Sequence, residues 1–355
     1  MNRTPVLIIG AGLSGLTLLY LLRKEGLDGL ILEARGRAGG RILTAKGDCG
    51  PTVDMGATWL GPAHKRIQAL LDKLNIDRFE QHMGENAIYE PNSMTPHQLV
   101  TLPAGQEPSW RIKGGTSTLI KALCKEAGGG RIHTGQQVRK ISEKDSMLLV
   151  KSDTDTYEAD VVVSTLPPKL IREHIEFEPG LPEEVTEIMS STHTWMGESI
   201  KFGLSYDQPF WHSKTSSGTV FSNAGPITEM YDHSNSGGTR FALMGFLNSS
   251  YFSLSSNQRL GKVLEQLRSY YGEQADNYLD YHEIVWSLEE FTYHPYKKHV
   301  LPHQNNGHDV FKKPWLNGKF FMAGAETSSV SPGYMDGAVN SAERVLKQIK
   351  GQLKS

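Results

Sequence analysis

The chain opens with a short apolar run, Val6-Leu7-Ile8-Ile9, that breaks at Gly10-Ala11-Gly12-Leu13-Ser14-Gly15. An apolar stretch of helical character follows from Leu16 to Leu22, and a second apolar run, Leu30-Ile31-Leu32, ends on Glu33. This pattern predicts strand, tight turn, helix and strand. Gly10 permits the turn, Gly12 lets backbone approach a pyrophosphate, and Gly15 lets the helix pack closely on the strand. A pyrophosphate would rest on the exposed N–H groups at the positive end of the helix. Glu33 would accept hydrogen bonds from an adenosine ribose. The pattern names a dinucleotide but not which one, since NAD and FAD share it. A membrane anchor or signal peptide is the competing reading. Three glycines, Ser14 and Thr17 interrupt the run, which falls short of the roughly 20 apolar residues a span requires. It also lacks a basic leader beyond Arg3 and a small-residue cleavage site.

Further along, the pattern alternates between helical and strand periods. Ala34 to Arg41 is a Gly/Arg loop, and Val53 to Gly61 reads as a strand ending in a glycine-lined loop. Ile67, Leu70, Leu71 and Leu74 recur at helical spacing within Pro62 to Leu74. Glu85 to Gln106 is proline-punctuated and of mixed polarity, and is expected to be irregular. Gly114-Gly115 precedes a helix from Ser117 to Ala127, then come strands around Val138, Met147 to Val150 and Tyr157 to Thr165. The last of these must stop at Pro167-Pro168. From Thr192 to Tyr293 the pattern changes to aromatic-rich strands (Ile200 to Tyr206, Thr219 to Phe221, Phe241 to Leu247) around one helix, Asn257 to Tyr271. That predicts a separate antiparallel sheet. A buried strand at Phe320 to Gly324 and a helix from Gly333 to Lys350 close the chain. The expected class is α/β: a Rossmann-like dinucleotide-binding domain (1–82, 113–190 and 312–355) interleaved with a smaller α+β substrate domain (83–112 and 191–311).

Composition narrows the function classes. With 355 residues the chain can hold two domains, and a net charge of −2 from 37 basic and 39 acidic residues gives no footprint for nucleic acid. Glycine, at 36 residues, exceeds its usual share of about 7%, which fits a cofactor held by backbone in several loops. Cys49 and Cys124 are the only cysteines and make no disulfide framework, so the chain reads as soluble, without a membrane anchor, and cytoplasmic. The histidines between His294 and His308 lack metal-ligand spacing, and no metal is expected.

Four separated stretches in order carry a resemblance that covers most of the chain. They are the fingerprint with Glu33-Ala34-Arg35-Gly36-Arg37-Ala38-Gly39-Gly40-Arg41; Asp54-Met55-Gly56-Ala57-Thr58-Trp59-Leu60-Gly61-Pro62; Ile200-Lys201-Phe202 with Pro209-Phe210-Trp211; and Ala323-Gly324-Ala325-Glu326-Thr327 with Gly333-Tyr334-Met335-Asp336-Gly337-Ala338. Together they resemble the flavin-containing monoamine oxidase family. The resemblance sharpens the dinucleotide to FAD. It implies that Glu33, Arg35, Gly39, Gly40 and Arg41 hold its adenosine and diphosphate, with Val138 near adenine. Gly56, Ala57 and Thr58 would pass beside the isoalloxazine, Trp286 would stand next to it, and Gly324 and Glu326 would reach its ribityl or diphosphate region. A helix N-terminus at Gly333 and Met335 would stabilise negative charge on the pyrimidine side.

By the same resemblance Lys201 matches the lysine that holds a water against flavin N5, and Tyr334 matches one of two tyrosines enclosing the substrate nitrogen. Counting from Trp286 puts the second at Tyr296, with Tyr293 and Phe291 as alternatives. Two departures stand out. Pro295 occupies the position of the cysteine that bonds FAD in mammalian members, so FAD should be non-covalent. The chain also lacks room for the helical insertion that larger members place over the substrate, which predicts a site that is more open or closed by another subunit. The resemblance implies oxidation of a small-molecule amine to an imine by hydride transfer to N5, with oxygen as acceptor and hydrogen peroxide as product. A desaturase or protoporphyrinogen-oxidase-like enzyme, or a non-catalytic FAD-binding protein, are the alternatives. The sequence sets neither the amine nor the oligomeric state.

Overall fold

A computed structural model describes residues 2–47, 50–212 and 217–352; Cys49 lies outside them. The strand Asn2–Ile9 sits at the middle of an eight-stranded sheet, paired in parallel with Leu30–Glu33 on one side and Thr156–Ser164 on the other. Ile132–Thr134 extends the first flank in parallel. Phe320–Met322 pairs with the far end of Thr156–Ser164, while Met147–Ser152 and Val138–Lys144 continue that flank antiparallel. Val6 and Ile8 enter one core and Leu7 and Ile9 another, so both faces of the strand are buried. That is why it reads as a continuous apolar run rather than an alternation. The helices Leu13–Lys24, Ser117–Ala127 and Met335–Gln352 pack together over one face.

The second sheet has seven strands, in the order Tyr278–Val285, Ile200–Tyr206, Phe241–Leu247, Ile227–Asp232, Val220–Ser222, Asn86–Glu90 and Gln98–Thr101. Phe202 and Leu204 meet Val263 and Leu267 of the helix Ser256–Tyr271 on one face. On the opposite face Val53 and Met55 pack against Ala242 and Met244. Gly203 is required there, since a Cβ would come within 2.5 Å of the Val53 side chain. The segment Thr52–Asp54 thus joins the two sheets, and the space between them becomes the site. No helix among the described residues is long and apolar enough to cross a membrane.

Two expectations need correction. Glu85 to Gln106 is not irregular: Asn86–Glu90 pairs in parallel with Val220–Ser222 and turns back antiparallel to Gln98–Thr101. Its pairing partner lies more than a hundred residues away, beyond the reach of local composition. The last helix begins at Met335, because Gly333 has φ +86° and cannot be helical. Asp336, in the first turn of that helix, is fully buried and accepts hydrogen bonds from the Arg66 and Ile67 backbone N–H groups at 2.7 and 2.9 Å. It thereby caps the helix Lys65–Lys73, which has no side-chain cap of its own. Asp336→Ala is expected to cost about 1–3 kcal/mol by stranding those donors, measured as a shift in the denaturant midpoint.

Candidate active site

One cavity of about 840 Å³ runs from the glycine turn to Tyr334, within the range of small-molecule sites. Chain packing explains two of the three turn glycines. Gly10 has φ +102°, and a Cβ on Gly15 would lie 2.1 Å from the Gly10 carbonyl oxygen. Gly12 is different. Its φ of −75° suits any residue, and an added Cβ would meet nothing closer than Gly40 Cα at 4.0 Å. It lines the cavity at the start of a helix that no side chain caps, so packing does not demand its bareness, which leaves backbone open to the cavity. Gly39 (φ +116°) and Gly40 (φ +56°) turn the next loop back, and Gly39 N–H donates to the Ala11 carbonyl at 2.8 Å. Glu33 is buried at the cavity wall and accepts from the Ala11 and Arg35 N–H groups at 2.7 and 2.9 Å. Val138 lines the same end. Arg35 lines it too, held by Thr292 Oγ1 at 2.6 Å and Glu289 at 3.3 Å.

Arg41 and Glu326, 285 residues apart, form a bidentate pair at 2.5 and 2.9 Å. Trp195 is bound into it from both sides: its carbonyl accepts from Arg41 at 3.1 Å and its N–H donates to Glu326 at 3.3 Å. Glu326 is fully buried and does not line the cavity; Arg41 does. The acid therefore acts through the arginine, which corrects the expectation of a direct cofactor contact. Gly324 likewise lies behind the wall, where a Cβ would come 2.8 Å from the Leu166 carbonyl. Gly56, Ala57 and Thr58 form the wall itself, with Ala57 N–H donating to the Arg41 carbonyl at 3.1 Å. Trp286 lines it with its indole N–H on the Met55 carbonyl at 3.0 Å; Met335, at the start of the last helix, and Gly333, in the turn before it, line it as well.

Lys201 faces the cavity from the start of Ile200–Tyr206, next to the edge strand of the second sheet, and is 2% exposed. Its Nζ donates to the Gly56 carbonyl at 2.8 Å and to Thr58 Oγ1 at 2.6 Å, and stands 5.3 and 5.2 Å from the ring centres of Trp59 and Phe246. Burial lowers its pKa to about 7, with Asp54 opposing that shift and Arg111 adding to it. Asp54 is itself pushed up by burial, against hydrogen bonds from Thr44 and Thr116. His233, which accepts the Asp54 N–H at 3.1 Å, is held neutral by burial. Asp54 opens a motif picked out in the sequence, but its action on Lys201 was not foreseen, and His233 and Arg111 did not stand out, because each acts through burial that only the assembled sheets create.

Tyr334 lines the cavity at its mouth, 39% exposed, with Trp195 at 5.6 Å and His303 stacked at 5.9 Å. Tyr296 does not line it. Its hydroxyl is taken up by the Thr192 carbonyl at 3.0 Å and the Thr194 N–H at 2.7 Å, so it cannot face Tyr334 across a ligand. Tyr293 is also turned away, onto Glu198, and Phe291 lines the cavity beside Arg35. The rings that meet Tyr334 in the cavity wall are Trp195 at 5.6 Å and His64 at 5.8 Å, missed because the count from Trp286 followed the chain rather than the fold.

A nucleotide turn, a glycine-arginine loop, a buried lysine and an exposed tyrosine on one cavity define a flavin-dependent oxidoreductase. The family model described as flavin containing amine oxidoreductase matches residues 13–93 and 92–349, and the chain belongs to that family. It is 25% identical to the mouse flavin-containing amine oxidase B, over 98% of this chain and 86% of the mouse protein. Among solved structures it superposes on putrescine oxidase bound to putrescine (TM-score 0.85, 22% identity, 98% and 99% of the chains) and on cyclohexylamine oxidase from Brevibacterium oxydans IH-35A (TM-score 0.87, 19% identity, 99% and 100%). These two likenesses show the fold.

The cofactor of this flavin amine oxidase is FAD, and the cavity fits it: bare backbone at Gly12, an uncapped helix start and fixed positive charge at Arg41. Position 295 is a proline, and the one described cysteine, Cys124, does not line the cavity. Removing one member of a buried ion pair strands the other. Glu326→Ala is therefore expected to destabilise the protein by about 3–5 kcal/mol, and to weaken FAD retention on gel filtration.

Proposed function

We propose that the chain oxidises an amine to an imine, with oxygen as terminal acceptor and hydrogen peroxide as product. Residues 1–82, 113–190 and 312–355 hold the cofactor in this reading, and 83–112 and 191–311 hold the substrate. Bound FAD supplies the two-electron acceptor at N5. The amine's α-carbon loses a hydride and its nitrogen a proton; water then hydrolyses the imine to a carbonyl compound and the amine or ammonia. Oxygen takes up the two electrons with two protons.

The chain's own residues orient, shield and tune. The electron-rich faces of Tyr334 and Trp195 guide a substrate nitrogen and narrow the approach of water. Trp59 and Phe246 give the reacting carbon an apolar floor. No side chain need act as a strong base, since the nitrogen's own electron pair drives loss of the hydride.

The observation that carries this reading is Lys201, a fully buried amine on the cavity wall with a pKa of about 7. Below that pH it is a cation, in a low-dielectric wall, placed to stabilise negative charge developing on reduced oxygen. Above it the charge is lost. Reoxidation by oxygen is thus expected to slow as pH rises through about 7. In Lys201→Met reoxidation should be slower by about tenfold or more and lose that inflection, read by stopped-flow mixing of the reduced protein with oxygen. Unchanged reoxidation in the variant would remove this role. Peroxide release on a panel of amines tests the whole reading; no turnover and no flavin bleaching with any of them would refute it.

The linked stability has a definite sign. The unfolded chain binds the Lys201 proton up to its ordinary pKa and the folded chain only up to about 7, so stability rises with pH across that window. Lys201→Met should flatten the rise, as seen in denaturant midpoints at pH 7 and 9.5.

A further inference from the structure

The second sheet aligns one row of side chains along its cavity face. Lys201 pairs in register with Phe246, Phe246 with Glu229, and Glu229 with Phe221. Residues directly opposite across strands point to one face, so Lys201, Phe246 and Glu229 share the cavity side. Lys201 and Glu229 stand two strand spacings apart, about 10 Å. A register shift between Ile227 and Glu229, of the kind that re-aims side chains beside active sites, brings Thr228 to the wall as well.

Glu229 is oriented. Tyr231, two residues on and on the same face, donates its hydroxyl to Glu229 Oε2 at 3.0 Å, and its ring meets Trp59 edge-on at 5.2 Å. Trp59, Phe246 and Tyr231 thus form an aromatic floor from Lys201 to the carboxylate. No described cation pairs with Glu229. The guanidinium groups lining the cavity, Arg35 and Arg41, lie at the nucleotide end and are engaged by Glu289 and Glu326. Beyond Glu229 a second hollow of about 350 Å³ shares Thr228 and Glu229 and continues along Ser222, Asn223 and Asn248.

Resting on the reading of this cavity as an amine oxidation site, we propose that Glu229 is a subsite for a second positive charge, and that the substrates are linear diamines. One nitrogen is presented beside Lys201 and Tyr334, the methylene chain lies on Trp59 and Phe246, and the distal ammonium meets Glu229. The aromatic floor suits the apolar stem of such a molecule, and the carboxylate suits only its charged end. A monoamine of equal length would leave Glu229 unpaired, so the site discriminates by what is missing.

The test compares kcat/KM for 1,4-diaminobutane and 1,6-diaminohexane with that for n-butylamine and n-hexylamine. The diamine-to-monoamine ratio should exceed about tenfold in the unmodified protein and fall by about tenfold or more in Glu229→Gln, chiefly through KM. Glu229→Asp, which keeps the charge, should restore most of the ratio, whereas loss of a merely structural residue would not be rescued by charge. Tyr231→Phe should lower the ratio by a smaller factor. Ratios within about twofold of one another across these proteins would overturn the proposal while leaving amine oxidation intact. Anaerobic calorimetric titration of the FAD-loaded protein with 1,6-diaminohexane separates the remaining cases. Glu229-dependent binding without turnover of any amine would uphold the subsite and sink the oxidase reading. Absence of both would sink the two together.

Discussion

The Arg41–Glu326 pair is the constraint on which the site depends. It joins the glycine-arginine loop after the first strands to the loop before the last helix, and through Trp195 it reaches the segment that leads into the second sheet. Three parts of the chain that are remote in sequence are thereby fixed at one point on the cavity wall. A fully buried carboxylate is costly unless its charge is met, and here the fork of a guanidinium meets it at both oxygens. The arrangement explains why an acid that never touches the cavity stands in the best-marked motif of the C-terminal segment. It also explains why Arg41 can offer positive charge to a diphosphate without drifting: its orientation is set from behind.

Lys201 obeys the opposite logic. Its neighbours are carbonyl and hydroxyl oxygens and two aromatic faces, with Asp54 acting only at a distance. An ammonium in that setting receives enough hydrogen bonding to be tolerated but not enough to keep its ordinary pKa. Pairing would have produced a permanent cation, and an apolar wall a permanently neutral group. The partial compensation leaves an amine that titrates near neutrality. Asp54 sets the balance while being occupied by Thr44 and Thr116, so it biases the lysine without neutralising it.

Much of this was legible in the sequence because its causes are local. The glycine turn, the buried strand Asn2–Ile9, the strands Ile200–Tyr206 and Phe241–Leu247 and the helix Ser256–Tyr271 follow from spacing and side-chain type within a few residues. Lys201 could be singled out because it interrupts an apolar strand. What failed was non-local. Asn86–Glu90 becomes a strand through a parallel partner far along the chain, and Tyr296 was placed by counting through a loop that folds away from the cavity. Trp195, Asp54 and Glu229 gain their roles only when the two sheets come together, and no periodicity marks them. Asp336 belongs to a recognised motif, yet its carboxylate holds another helix in place.

The cavity that results is lined by different charged groups along its length. Its nucleotide end carries Arg35 and Arg41, each met by a carboxylate, with Glu33 and an uncapped helix start, and beyond Lys201 stands Glu229, with which no described cation pairs. Lys201 lies between them and is the one lining amine whose charge varies near neutral pH. The mouth is framed by Tyr334, which is left partly exposed. For the diamines proposed above, selectivity rests on the aromatic floor of Trp59 and Phe246 and on the Glu229 carboxylate that Tyr231 orients.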